Sequence, residues 1–237
     1  MNNLILIRHG QSLWNLERRF TGFYDIDLTE QGKLEAKYAG ELIKKLNIDF
    51  DSCFTSQLKR AINTLNIILT TLNKQNIKIK KAWELNERNY GGLTGLNKDE
   101  IIKKHGCEQV KIWRRSYDIP PPPIDDDHPF KHIMYKNIPP DKISKSESLK
   151  DTFDRVVPYY EKEIKPLIED KKNILIVFHG NSCRALLKNI FNISEKEIIN
   201  FEIPTGNPLL IKFGKNFKIK EYKYLDAKRA KKILFRI

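Results

Sequence analysis

Asn173-Ile174-Leu175-Ile176-Val177-Phe178 is the most hydrophobic run in the chain, and it ends in His179-Gly180-Asn181-Ser182. A short, continuous apolar run closed by a glycine reads as a buried β-strand, and helical spacing resumes after it. The same arrangement opens the sequence, where Asn3-Leu4-Ile5-Leu6-Ile7 runs into Arg8-His9-Gly10. Between the two, strand and helix signals alternate. Thr29-Glu30-Gln31-Gly32 starts a helix in which Leu34, Tyr38, Leu42 and Leu46 fall four apart as the apolar stripe. Phe50 to Thr55 reads as a strand, and Ser56 is placed to cap a helix with Leu58, Ile62, Leu65 and Leu69 on one face. Ile77 to Trp83 is a third extended piece. Alternation of this kind predicts an α/β fold with a largely parallel sheet and helices on both faces. Ligands bind such sheets beyond the carboxyl ends of the strands. Arg8-His9-Gly10 and His179-Gly180-Asn181 each place a histidine there, with a glycine that lets backbone approach a ligand.

Residues 99–117 read as two shorter helices broken at Gly106, with His105 at the end of the first. The segment from Pro120 to Pro140 holds four consecutive prolines, the run Asp125-Asp126-Asp127 and a second Pro-Pro. It is expected as an excursion over the surface, at about residues 118–145, rather than as a second core. A helix resumes from Ser146 to Glu169 with kinks expected at Pro158 and Pro166, and Leu209 to Phe213 with Phe217 to Tyr222 form a closing hairpin. No internal repeat is present. At 237 residues, and roughly 150 residues per domain, the reading is one domain over 1–237 with a short C-terminal tail at 225–237.

Hydrophobic residues make up 40% and charged residues 31%, enough for a core and too ordered a balance for wholesale disorder. No apolar run approaches the roughly 20 residues of a membrane span, and Met1 to Ile7 lacks the basic start and cleavage site of a leader. Three scattered cysteines, Cys53, Cys107 and Cys183, make no disulfide framework, so a cytoplasmic setting is expected. Lys and Arg total 43 against 30 Asp and Glu, a net charge of +13 that suits an anionic partner. Nucleic acid would want clustered basic residues with exposed stacking aromatics. The lysines here are spread instead, so neither a nucleic-acid nor a membrane partner is expected and a phosphorylated metabolite fits better.

Histidine can carry phosphate covalently if it is neutral, held in one tautomer and placed in line with a phosphoryl group. The charge on that group calls for preorganised cations and donors. No carboxylate-rich Mg²⁺ site is evident, so Arg8, Arg60 and His179 are the residue types that could supply the field around His9. Other motifs stand in order along the chain: Gln11-Ser12-Leu13-Trp14-Asn15, Phe20-Thr21-Gly22-Phe23-Tyr24-Asp25, Leu28-Thr29-Glu30-Gln31-Gly32 and Thr55-Ser56-Gln57-Leu58-Lys59-Arg60-Ala61. They continue through Leu85-Asn86-Glu87-Arg88-Asn89-Tyr90-Gly91, Gly95-Leu96-Asn97-Lys98, Trp113-Arg114-Arg115, Ser146-Glu147-Ser148-Leu149 and Ile203-Pro204-Thr205-Gly206. This ordered set resembles the histidine phosphatase superfamily, and more narrowly the 2,3-bisphosphoglycerate-dependent phosphoglycerate mutases.

The resemblance implies a three-layer, phosphoglycerate-mutase-like α/β fold and interconversion of 3-phosphoglycerate and 2-phosphoglycerate, with 2,3-bisphosphoglycerate as primer and no metal. It implies His9 as the phosphorylated nucleophile, with Arg8, Arg60, Asn15 and His179 around the transferring group, and Glu87 as general acid/base. Arg114, Arg115, Tyr90 and Lys98 would hold the far end of the substrate. Ser12, Thr21, Gly22, Arg88, Gly180 and Asn181 complete the implied binding set, and a homodimer is expected. The nearest alternative is a phosphatase of the same superfamily, in which water takes the phosphate from His9. The second pole of Arg114, Arg115 and Lys98 favours the mutase, because guanidinium forks match carboxylate and phosphate oxygens.

The sequence departs from the family at three points. Gln11 stands where many relatives have Glu. Ser12 stands where bisphosphoglycerate-synthesising relatives carry Gly. The end from Leu225 is short and basic where many mutases have a longer tail of small residues, which would exclude water less well. Bland readings cover other residues: Trp14 as packing, Cys183 as a buried thiol, and His128 with His132 as no metal pair, since Pro129 intervenes.

Overall fold

The strands are β1 (Asn2–Arg8), β2 (Ser52–Thr55), β3 (Ile79–Lys81), β4 (Ile174–Phe178), β5 (Leu209–Phe213) and β6 (Ile219–Tyr224). They form one sheet in the order β3-β2-β4-β1-β5-β6 in the computed structural model, which describes residues 2–230. β1, β4, β2 and β3 run parallel, whereas β5 is antiparallel to β1 and β6 to β5. The helices are α1 (Leu13–Leu16), α2 (Glu30–Lys44), α3 (Lys59–Leu72), α4 (Lys98–His105) and α5 (Cys107–Arg115), followed by α6 (Lys131–Tyr135), α7 (Leu149–Tyr159), α8 (Lys165–Glu169), α9 (Gly180–Ile190) and α10 (Glu195–Ile198).

Strand periodicity sorts the core into two layers. Leu4 and Leu6 of β1, with Ile174, Ile176 and Phe178 of β4, face α7 and α9. Ile5, Ile7, Leu175 and Val177 point the other way, onto α2 and α3. Because both faces are covered, the strands can be apolar at every position, which is why they read as continuous hydrophobic runs. The result is the expected three-layer α/β arrangement.

Several local expectations are corrected. The stripe Leu34, Tyr38, Leu42, Leu46 is not the buried face of α2: Leu34 and Tyr38 are exposed, and Ala36, Ala39, Gly40 and Ile43 are buried. Close helix packing decides this, since Gly40 lies against Thr71 of α3 at a distance that leaves no room for a side chain. Ser56 does not cap α3, which starts at Lys59 with Leu58 as an uncapped boundary residue; its hydroxyl goes to His179 instead. The third extended piece shortens to Ile79–Lys81, with a 3₁₀ turn at Trp83–Leu85.

The 146–169 helix begins with Ser148 in a capping box with Asp151, and its irregular turn, Tyr160–Ile164, falls between Pro158 and Pro166. The 120–140 segment buries Ile124, Met134, Tyr135 and Ile138 against Phe23, a small apolar cluster of its own. Trp14 is buried and stacks on Tyr24 at 4.3 Å, and Cys183 is buried in α9. Of the expected tail, residues 231–237 lie outside the described residues.

The turn after β1 and the start of α2 touch backbone to backbone. The Gln11 carbonyl accepts from Thr29 N at 2.9 Å, and a Cβ on Gly32 would run into that same carbonyl. Helix propensity alone would make Gly32→Ala stabilising by about 1 kcal/mol. The collision reverses the sign, and we expect a loss of about 1–3 kcal/mol, read as a lower denaturation midpoint; a stabilised Gly32→Ala protein would contradict this packing.

Candidate active site

Parallel register brings the two histidine tripeptides together. Arg8 pairs with Phe178 across β1 and β4, and His9 N donates to the Phe178 carbonyl at 2.9 Å. The next residues, His9 and His179, therefore emerge side by side, with ring centroids 5.0 Å apart and planes at 62°. His9 Nδ1 lies 2.6 Å from the Gly10 carbonyl. A carbonyl can only accept, so Nδ1 carries the proton and Nε2 keeps a free lone pair. Burial, reinforced by the charges of Arg60 and Arg8, holds the His9 imidazole well below the usual histidine range. The ring is therefore neutral at pH 7 despite the carbonyl that favours its proton. Burial and the neighbouring Arg60 and His9 do the same to His179.

The strand ends open into a cavity of about 360 Å³. His9, Arg8, Asn15, Thr21, Gly22 and Arg60 line its inner part, with Glu87, Gly180 and Asn181 beside them. Tyr90, Lys98, Arg114 and Arg115 line the rest. The inner arginines are anchored by main chain rather than by carboxylates. Arg60 donates to the carbonyls of Gly22 and Tyr24, each at 2.8 Å, and Arg8 donates to Ile203 O at 2.8 Å. Their positive charge is thus oriented without being cancelled, while burial brings Arg60 down to about 10. Arg8 Nε and Thr21 Oγ1 are buried with no partner among the described residues. Such orphaned donors suit an anion entering the cavity.

Gly180 and Asn181 open α9, so the positive end of its dipole faces the same space. Glu87 sits against that end. Its Oε1 accepts from Asn181 N (3.1 Å), Asn181 Nδ2 (2.9 Å) and Arg88 N (2.8 Å), and among the described residues every hydrogen bond to the carboxylate falls on this one oxygen. At the outer pole, burial among Arg114, Arg8 and Arg18 lowers Lys98 to about 8. Burial opposes ionisation of Tyr90, yet the Arg88 guanidinium, 4.6 Å from its ring, brings the phenol down to about 8. Arg115 is held by Glu202 at 2.7 Å and by the Phe201 carbonyl at 3.2 Å.

Three residues of the expected set do not line the cavity. Ser12 is fully buried and caps α1; Arg88 packs against the Tyr90 ring, donating to the carbonyls of Trp113 (3.0 Å) and Arg114 (3.1 Å); His179 is fully buried and meets the His9 ring edge-on. Other wall residues were not anticipated, notably Arg19, Arg184 and Arg229. Arg184 donates to Asn181 Oδ1 at 2.9 Å and to Ile198 O at 2.8 Å, which fixes the amide that faces Glu87. An arginine among Cys183, Ala185, Leu186 and Leu187 was the available signal, since an unpaired charge on an apolar helix face needs a reason.

The segment bearing Glu87 is clamped from behind. Arg155 of α7 makes a two-pronged ion pair with Glu147, both contacts 2.8 Å, and donates to the carbonyls of Glu84 (2.6 Å), Asn86 (3.1 Å) and Glu87 (2.9 Å). Glu147 also accepts from Asn89 N at 2.8 Å. Both side chains are under 10% exposed (8% and 6%). Arg155→Met leaves the Glu147 carboxylate buried and unpaired, and we expect a loss of about 3–5 kcal/mol in chemical denaturation; a loss below about 1 kcal/mol would mean the pair behaves as a surface bridge.

Comparison with known proteins places the chain in a family. Residues 4–222 match the family described as Histidine phosphatase superfamily (branch 1). A 2,3-bisphosphoglycerate-dependent phosphoglycerate mutase of Pelagibacter ubique is 52% identical over 237 residues, covering 99% of both chains. A protein of the same name from Hydrogenobaculum sp. is 50% identical over 238 residues, covering 99% of this chain and 96% of its own. The solved structure of Bacillus stearothermophilus YhfR superposes with a TM-score of 0.69 at 20% identity, covering 93% of this chain and 95% of its own, which speaks to the fold. The chain belongs to the histidine phosphatase superfamily and, within it, to the family of 2,3-bisphosphoglycerate-dependent phosphoglycerate mutases.

Proposed function

We propose that this protein interconverts 3-phosphoglycerate and 2-phosphoglycerate through a phosphohistidine at His9, primed by 2,3-bisphosphoglycerate, as a step of glycolysis and gluconeogenesis. The observation that supports the reading most is the neutral His9 imidazole: its free Nε2 lone pair belongs to a residue lining a cavity walled by arginines. Relatives half identical over nearly the whole chain bear the corresponding name. In this reading Nε2 of His9 attacks phosphorus in line, the P–O bond to the glycerate oxygen breaks, and that oxygen takes a proton. Arg8, Arg60 and Asn15, which line the cavity, stabilise the equatorial oxygens, and His179 backs the His9 ring.

Glu87 moves the hydroxyl proton through Oε2, the oxygen its own hydrogen bonds leave free. Phosphorylated His9 gives its phosphoryl group to the free hydroxyl of a bound phosphoglycerate. The 2,3-bisphosphoglycerate so formed turns in the site so that Nε2 takes back the other phosphoryl group, releasing the isomer and leaving His9 phosphorylated. A bisphosphorylated glycerate carries a charge of about −5, so a pocket cationic at both ends fits it. Arg114, Arg115 and Lys98 supply the far pole, which hydrolysis of simple monoesters does not require. The orphaned Arg8 Nε and Thr21 Oγ1 supply donors for its oxygens. We read residues 1–237 as one catalytic domain acting as a cytoplasmic homodimer without a metal; among the described residues no helix is long and apolar enough to cross a membrane.

Two measurements test this. Incubation with 2,3-bisphosphoglycerate adds one acid-labile phosphoryl group at His9 by intact mass, mutase turnover depends on the primer, and His9→Ala abolishes both while keeping the fold. Primer-independent release of inorganic phosphate would point instead to a phosphatase of the same superfamily. Lys98 and Tyr90 each lose a proton near pH 8, so the far pole becomes less positive and kcat/KM falls above pH about 8. Lys98→Arg, which stays charged, makes the fall shallower; a profile flat to pH about 9.5 would remove both groups from substrate binding.

A further inference from the structure

Asn181 and Arg184 stand three residues apart on α9 and so share a face of the helix. Both are buried, and both line the cavity. Arg184 is fixed by α10: its Nε and Nη2 donate to the Ile198 carbonyl, at 3.3 and 2.8 Å. Its Nη1 donates to Asn181 Oδ1 at 2.9 Å. A guanidinium carries donors and no acceptor, so the amide must turn its oxygen to Arg184 and its NH2 group the other way. On that other side stand two acceptors, Glu87 Oε1 at 2.9 Å and the Tyr90 hydroxyl oxygen at 3.3 Å. Both protons and the oxygen of the amide are thereby engaged within the protein.

We infer that Arg184 is a positioning residue for proton transfer: acting through the Asn181 amide, it holds Glu87 by Oε1 and keeps Oε2 free for the substrate hydroxyl. The reversed amide would set Oδ1 against Oε1, two acceptors with no proton between them, and would push the carboxylate from its place. Arg184 excludes that arrangement. The same amide joins Glu87 to Tyr90, so the group that moves the proton and a residue of the far pole keep a fixed separation. Although Arg184 lines the cavity, its route to the reaction runs through Asn181 rather than through the ligand.

The inference rests on the proposed function, but its first test does not. In a neutron structure of the deuterated wild-type protein we expect both amide deuterons of Asn181 on the atom facing Glu87. Deuterons on the atom facing Arg184 overturn the inference whatever the activity, whereas the expected amide in a protein without mutase turnover overturns the proposed function instead. Kinetics test the route. Arg184→Met and Asn181→Ala should each lower kcat about ten- to a hundredfold with little change in KM. The protein carrying both changes should be no slower than Asn181→Ala alone, because a residue that acts through another has nothing left to act on. Losses that multiply, or a raised KM with kcat unchanged, would mean that Arg184 serves the ligand directly, and either overturns the inference. Asn181→Asp covers the case in which Arg184→Met does not fold. It has the same size, keeps the acceptor for Arg184 and loses both amide protons; kcat should fall as far as in Asn181→Ala, and an unchanged kcat overturns the inference.

Discussion

Pairing Arg8 with Phe178 across two parallel strands leaves the next residue of each, His9 and His179, in adjoining positions at the same end of the sheet. A shift of one residue in that register would turn one histidine into the opposite layer, because side chains alternate along a strand. The apolar core prevents the shift. Leu4 and Leu6 must face α7 and α9 while Ile5 and Ile7 face α2 and α3, and β4 is bound by the same alternation. Hydrophobic burial thus sets the distance between the two imidazoles without touching either ring.

Around this pair the protein stores positive charge where it would otherwise be expelled. Arg60, Arg8 and Arg184 are anchored to main-chain carbonyls, which orient a guanidinium while leaving its net charge for a ligand. The histidines stay neutral for the same reasons, burial and neighbouring cations, so one environment yields both uncharged imidazoles and a field that suits an anion. Glu87, a carboxylate lining the cavity, is tied to the start of α9 through Asn181, and Asn181 is in turn fixed by Arg184. Arg155 and Glu147 hold the segment carrying Glu87 against α7. Arg155 and Glu147 therefore brace the site without lining the cavity themselves.

Motif-bearing residues were legible because their types and order are constrained by chemistry. His9, Arg8, Arg60, Glu87, Lys98, Arg114, Arg115 and Asn181 all reach the same cavity. Residues whose role depends on what packs against them were not. Ser56 has the composition of a helix cap, and only the end of β4 beside it reveals His179 as its partner. Leu34 and Tyr38 have helical spacing, but the approach of α3 at Gly40 selects the small-residue face for burial. Arg88 sits in a motif beside Glu87, yet its guanidinium turns back to the carbonyls of Trp113 and Arg114 and touches Tyr90 instead of the cavity.

By itself the sequence determined the strand–helix alternation, the two glycine-flanked histidines and the excess of cations, since periodicity and residue chemistry are local properties. Tertiary structure decided which nitrogen of His9 is free, which oxygen of Glu87 is spoken for, and which arginines line the cavity. For His9 the partner is the adjacent Gly10 carbonyl, turned toward the ring by the fold, whereas Asn181 on Glu87 and the carbonyls on Arg8 and Arg60 lie far away in the chain, and no local pattern encodes where they will arrive.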